Sequence, residues 1–237
     1  MKSASFPRLE AARTAMDREA TNTKDLRTRR VSFAAADGGP ELRGVLHLPQ
    51  DGTLPFPAAI VCHPHTRMGG NMGNGIVVQL CLELAVAGWA ALRFNFRGAG
   101  GSGGSFDGGE GEMDDVKGAT DFLFVQTEID PDELIVMGYS FGAGVALHHA
   151  ARDQRLRRMA GIALVEAHYD DPFLDEDRRP KLFVAGDEDP WAPSDKLRAY
   201  VERLSAPKRL DIIAGAGHLF SGRVDDLTDV VLDWLAG

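Results

Sequence analysis

Ser140 sits in Gly138-Tyr139-Ser140-Phe141-Gly142, between the apolar run Leu134-Ile135-Val136-Met137 and the small residues Ala143-Gly144. A serine on a sharp strand-to-helix turn carries its hydroxyl above the sheet, and nearby glycines let neighbouring backbone pass close. The helix N-terminus behind it favours developing negative charge. Such a serine can act as a nucleophile in acyl transfer if a base takes its proton. His218, in Gly217-His218-Leu219 after the final strand-like run, is the candidate base. The carboxylate that would orient it lies in Gly186-Asp187-Glu188-Asp189-Pro190-Trp191. Asp189 is preferred because it lies farther into the loop and can turn toward His218. Asp187 is the alternative, and could instead hold the turn through its own backbone hydrogen bonds. Glu166 is a remote third option. The order serine, aspartate, histidine suits a sheet that presents all three from the carboxyl ends of its strands.

The tetrahedral oxyanion of acyl transfer needs two backbone donors. Phe141 supplies one. The second is expected from His63-Pro64-His65-Thr66, after the apolar run at 58–62. Pro64 has no N–H, so His65 is the better donor, and His63 is read as bracing the loop. Two histidines at that spacing, without clustered third and fourth ligands, do not make a metal site. The serine pattern also recurs as Gly100-Gly101-Ser102-Gly103-Gly104, with more glycine and no helix directly after it. Ser102 is therefore read as a loop residue. The same loop matches a dinucleotide fingerprint, but no helix opens inside it to cover a pyrophosphate. No cofactor is expected. Arg97 and Asp107 flank this loop and could pin it or form a surface ion pair. Glu110, Glu112, Asp114 and Asp115 read as caps and first-turn charges of the next helix. Trp191, beside Asp189, is a candidate pocket residue.

The positioning elements follow from hydrophobic period. Strands are expected at 31–35, 42–48, 58–62, 90–94, 134–137, 162–165, 182–185 and 210–213. Helices are expected at 75–87, through Val116 and Leu123, at 143–151, at 194–204 with Ser194 as cap, and at 227–235. Strands and helices alternate after an opening hairpin, which predicts an α/β domain with a mostly parallel sheet and helices on both faces. Residues 1–30 are polar, with Leu9, Ala12 and Met16 on one weak helical face, and form an N-terminal extension to a domain at 31–237. A mirrored contact through that arm would make a homodimer.

Composition narrows the function classes. The chain has 237 residues and a net charge of -9, so a broad nucleic-acid groove is not expected. The one compact basic cluster, Arg27, Arg29 and Arg30, is read as solvated surface beside the first strand. Cys62 and Cys81 lie in apolar segments and read as buried free thiols. No stretch has the length or apolarity of a membrane span or a secretory signal, so a cytoplasmic protein is expected.

Taken together, these residues resemble the α/β-hydrolase superfamily. The narrower resemblance is to small bacterial hydrolases with an H-P-H loop, carried by Gly69-Gly70-Asn71-Met72-Gly73-Asn74, by Leu92-Arg93-Phe94-Asn95-Phe96-Arg97-Gly98 with Gly100, Ser102 and Gly104, by Phe106-Asp107, and by Gly138-Tyr139-Ser140-Phe141-Gly142. It covers 31–237. It implies Ser140 as nucleophile, His218 as base and Asp189 as acid, with the His65 and Phe141 amides at the oxyanion. The expected function is a serine hydrolase acting on small carboxylic esters or thioesters through an acyl-enzyme. Only a short acidic connection, with Glu166, Asp170, Asp171, Asp175, Glu176 and Asp177, occupies the place of a lid, so an open, shallow cleft is expected. The alternatives are a non-catalytic interaction protein on the same fold, and a serine peptidase or acyltransferase.

Overall fold

The computed structural model describes residues 27–237 and forms one sheet from eight strands. They are β1 (Arg27–Ala34), β2 (Glu41–Leu48), β3 (Phe56–Cys62), β4 (Ala90–Phe94), β5 (Ile129–Tyr139), β6 (Leu156–Ile162), β7 (Lys181–Gly186) and β8 (Lys208–Ile213). The helices are α1 (Gly75–Val86), α2 (Glu110–Phe124), α3 (Phe141–Arg152), α4 (Ser194–Arg203) and α5 (Val224–Ala236). The spatial order is β1-β2-β4-β3-β5-β6-β7-β8. β1 and β2 run antiparallel to their neighbours, and every pairing from β4 to β8 is parallel. α1 and α5 pack against each other on one side of the sheet, and α2 and α3 pack together on the other.

Burial on both faces explains the central strands. Ala58, Ala59, Ile60, Val61 and Cys62 of β3 are all fully buried, as are Leu134, Ile135, Val136 and Met137 of β5. Such strands read as unbroken apolar runs rather than alternating ones. Cys62 and Cys81 are buried free thiols, and burial raises both pKa values, that of Cys81 to about 12. Among the described residues, no helix is long and apolar enough to cross a membrane.

Three expectations are corrected. The first strand starts at Arg27, so the division at 30/31 cuts through β1, and Arg27, Arg29 and Arg30 lie in the strand rather than beside it. β2 offers main-chain partners as far as Leu48, and an edge strand tolerates charged side chains. The rest of the proposed arm, with Leu9, Ala12 and Met16, lies outside the described residues. The strand expected at 162–165 is Leu156–Ile162. Its two arginines hid it: Arg158 reaches the Leu235 carbonyl, while Arg157 reaches Asp132. The chain then leaves the sheet at Ala163, whose φ is 48°. Ser194 is the first residue of α4, not its cap; Pro193 holds that position and offers no side-chain bond.

Candidate active site

The turn from β5 into α3 holds Ser140 at φ 57°, ψ -120°, a left-handed conformation that non-glycine residues rarely adopt. The flanking glycines make this possible. A Cβ at Gly138 would overlap the Gly142 carbonyl, and one at Gly142 would overlap the His63 carbonyl. Ser140 thus stands at the carboxyl end of β5 with the first turn of α3 behind it.

Two loops from the far half of the sheet meet this serine. The loop after β8 brings His218, whose Nε2 accepts from Ser140 Oγ at 2.9 Å. The loop after β7 brings Asp189, whose Oδ2 accepts from His218 Nδ1 at 2.7 Å. The other Asp189 oxygen accepts from the Trp191 and Ala192 amides at 2.9 and 3.0 Å. Asp189 is 4% exposed and His218 8%, so the ion-forming pair is shielded from bulk water. Tyr139 donates its hydroxyl to the His218 carbonyl at 2.9 Å, and burial pushes that phenol up to about 12. Asp187 faces elsewhere: it accepts from the Gly215 amide at 2.7 Å and so ties the β7 loop to the β8 loop. Glu166 pairs with Lys196. Of the three carboxylates considered, Asp189 is the one at the imidazole. Half-exposed Trp191 sets its ring edge-on to His218, with centroids 4.6 Å apart.

Phe141 opens α3, so its N–H has no acceptor within the helix. His65 begins a short 3-10 turn, Thr66–Met68, and accepts from the Arg67 amide through Nδ1. Its ring lies against Phe106 and Phe141, at 4.7 and 4.9 Å between centroids. His63 is fully buried. Its Nδ1 donates to the Pro64 carbonyl at 2.6 Å, and its Nε2 accepts from the Phe96 amide at 3.1 Å. Both ring nitrogens are thus used by the backbone, which fits a brace and leaves no lone pair for a metal. Among the described residues, no group of three or more His, Cys, Asp or Glu is placed to hold a metal ion.

Burial lowers the pKa of His63 to about 4, and of His47 likewise to about 4, with Arg93 adding to the effect. Both pKa values fall below the unfolded value, so between about pH 6.5 and 4 the unfolded chain binds protons that the native chain refuses. Stability is full above pH 6.5 and falls as pH drops toward 4, by about 2.7 kcal/mol per pH unit if both histidines contribute. Urea midpoints across this range should show that slope, and His47→Gln should roughly halve it.

The loop after β4 differs from expectation. Arg97 pairs with Asp115, not with Asp107: Nε and Nη2 reach Asp115 Oδ1 at 2.9 and 2.8 Å, and the Arg97 amide reaches Oδ2 at 2.7 Å. Gly111 lets the guanidinium cross α2, since a Cβ there would overlap it. Burial pushes the Asp115 carboxyl up against the opposing pull of Arg97. Glu112 caps α2 by accepting from the Asp107 and Gly109 amides. Ser102 accepts from the Arg43 amide and donates to the Asn95 carbonyl, so it stitches the loop to β2. Arg97→Met should destabilise the fold by about 3–5 kcal/mol, because it strands a buried carboxylate. Arg97→Met with Asp115→Leu should recover much of that loss in the same denaturation assay.

Residues that spacing did not reveal also shape the site. Asn95 accepts from the Met72 amide at 2.8 Å and donates to the Gly100 carbonyl at 2.9 Å, joining two loops at the cleft. Its signal was a polar residue between Phe94 and Phe96, inside the run that carries the family resemblance. A cavity of about 290 Å³ lies behind Phe141, lined by Gly144, Met113, His148, His168 and Phe173 among others. The expected shallow cleft therefore has a pocket beside it. His148 stacks on Phe173 at 3.7 Å, and His168 can lie over α3 only because residue 144 is glycine. The connection at 166–180 contains a 3-10 turn, Glu166–His168, and no helical cap. Its acidic side chains are largely engaged: Glu166 with Lys196, Asp171 with His148, Asp175 with Arg203 and Asp177 with Arg179.

Residues 18–236 match the family described as X-Pro dipeptidyl-peptidase (S15 family). An uncharacterised protein of Rickettsia prowazekii is 34% identical over 187 residues, spanning 76% of this chain and 78% of that one. A lidless α/β serine hydrolase from Xanthomonas campestris superposes with a TM-score of 0.76 at 30% identity, covering 88% and 93% of the two chains. An α/β-hydrolase-type protein of unknown function from Agrobacterium tumefaciens superposes with a TM-score of 0.78 at 33% identity, covering 87% and 94%. The architecture described above is the α/β-hydrolase fold without a cap domain.

Proposed function

The chain belongs to the X-Pro dipeptidyl-peptidase (S15) family, and on that premise we propose that it is a serine hydrolase that cleaves small carboxylic esters or thioesters through an acyl-enzyme. One observation carries the reading: an unbroken relay from Ser140 Oγ through His218 to Asp189, at 2.9 and 2.7 Å, with the second Asp189 oxygen held by two amides.

In the proposed reaction His218 Nε2 takes the Ser140 proton as Oγ attacks the acyl carbon. Asp189 fixes the tautomer with the proton on Nδ1 and stabilises the imidazolium that forms. The oxyanion is met by the Phe141 amide and the His65 amide. The imidazolium then protonates the departing alcohol or thiol, and water repeats the cycle on the acyl-enzyme. The substrate is a small acyl compound in the cleft beside Trp191 and the aromatic wall of His65, Phe106 and Phe141. No cofactor enters the scheme.

A second reading, a serine peptidase, is favoured by the family description and by two carboxylates, Glu110 and Asp171, that line the cavity behind Phe141. Either could receive a substrate ammonium. Initial rates on short-chain nitrophenyl esters, acyl thioesters and aminoacyl-prolyl anilides separate the two. The ester reading expects turnover of esters or thioesters with no cleavage of the anilides above the rate of Ser140→Ala. Ser140-dependent cleavage of the anilides that is lost when their N-terminal amine is acetylated would replace it with the peptidase.

A further inference from the structure

Arg93 is a half-buried guanidinium whose hydrogen-bond partners carry no charge. Its Nε donates to His47 Nε2 at 2.9 Å and its Nη1 to the Met72 carbonyl at 2.8 Å. To accept that bond, His47 must carry its own proton on Nδ1, a buried atom with no partner among the described residues. Arg93 has no carboxylate partner among the described residues. A guanidinium withdrawn from water without a counter-ion is unfavourable.

The sheet register places further cations beside it. Arg30 pairs with Val45, Ser32 with Arg43, and Val45 in turn with Arg93. Directly paired residues share a face, so Arg30, Ser32, Arg43, Val45 and Arg93 lie on one side of β1, β2 and β4. With Met72 they line a groove of about 560 Å³. The other face of β1 is covered by α2, where Gly118 meets the Ala34 carbonyl. Arg27 and Arg29, on the opposite face, share Glu128 at 3.9 and 3.1 Å. Arg30 has no acidic partner among the described residues, and Arg43 shares exposed Glu41 at 2.5 Å. Among the described residues, three guanidiniums against one carboxylate leave two positive charges in the groove, on a chain whose net charge is -9.

We infer that this groove binds the phosphate group of a small phosphorylated molecule. A phosphate dianion matches the two uncompensated charges, and guanidinium forks present paired donors to its oxygens. The Ser32 hydroxyl adds a neutral donor at the same wall. The phosphate can sit on a free metabolite or on the leaving group of an ester or thioester substrate. The second source rests on the hydrolase reading. The groove begins at β4, two strands from β5, and ends at β1, four strands away, which is roughly 10 to 19 Å at the usual strand spacing and within the span of an extended substrate. A hydrogen-bonded path also runs from Arg93 through Met72 and Asn95 to the loop at Gly100.

Isothermal titration of the full chain with pyrophosphate and with inorganic phosphate, at ionic strength fixed with sodium chloride, tests the site. The expected result is saturable binding that weakens at least tenfold in Arg30→Ala and in Arg43→Ala, and severalfold in Arg30→Lys, which keeps the charge and loses the fork. Melting curves without ligand verify that each variant is folded, and Arg30→Lys serves if an alanine variant is not. Absence of saturable pyrophosphate binding, or equal affinity in wild type and all three variants, overturns the inference. The sources separate on KM. A rise in Arg30→Ala only for a phosphorylated thioester, against its dephosphorylated form, assigns the phosphate to the leaving group. Weakened phosphate binding with both KM values unchanged assigns it to a free ligand. The titration reads binding alone, so it stands whatever the substrate screen returns.

Discussion

Ser140→Ala should abolish covalent labelling by a fluorophosphonate and lower ester hydrolysis by about 10⁴–10⁶-fold. The size follows from the relay, since without Oγ neither His218 nor Asp189 has a nucleophile to serve. Intact-mass measurement reads the adduct directly. Ser102→Ala is the informative partner, because Ser102 lies in the second copy of the same five-residue pattern. Its hydroxyl joins the Arg43 amide to the Asn95 carbonyl, so the variant should lose about 1–2 kcal/mol of stability and keep the adduct. A surviving adduct in Ser140→Ala, or its loss only in Ser102→Ala, would remove the proposed nucleophile.

Asp189→Asn should lower kcat by about 10⁴-fold while leaving KM within a few-fold of wild type. The carboxylate accepts from His218 Nδ1 at 2.7 Å, whereas an amide can turn a donor toward that nitrogen and favour the tautomer that cannot accept from Ser140. Asp187→Asn is the contrast. That residue accepts only the Gly215 amide in the same pair of loops, a bond that an Asn oxygen also accepts, so this variant should keep kcat within a few-fold of wild type. Equal rate losses in the two variants would mean that the acid has been misassigned between neighbours two residues apart.

The site was legible where a local rule dictates the residue. Gly138 and Gly142 announce the elbow because a Cβ at either collides with backbone, and that constraint is written in five consecutive letters. Asp189 could be preferred to Asp187 from loop position alone, and the two short loops left little freedom for another outcome. His65 could be preferred as oxyanion donor because Pro64 has no N–H, which left His63 to be read as a brace. What stayed hidden depends on partners distant in sequence. Arg97 bypasses Asp107, ten residues on, for Asp115 in the second turn of α2, because Gly111 opens a path across α2. β6 lay outside the expected range because Arg157 and Arg158 break the apolar period while sending their heads to Asp132 and to the Leu235 carbonyl of α5. His148 and His168 meet only when the connection after β6 folds over α3, so neither neighbourhood carries a signal for the cavity they line.

The bond from Gly215 to Asp187 has a kinetic meaning. It fastens the loop that carries the imidazole to the loop that carries its carboxylate, so the two travel as one body relative to Ser140. The ordering cost of bringing the acid and base loops together is met during folding and not at each turnover. Acylation should begin without a lag after mixing, and its pre-steady-state rate should be insensitive to added viscogen, since no loop has to swing before the first bond forms.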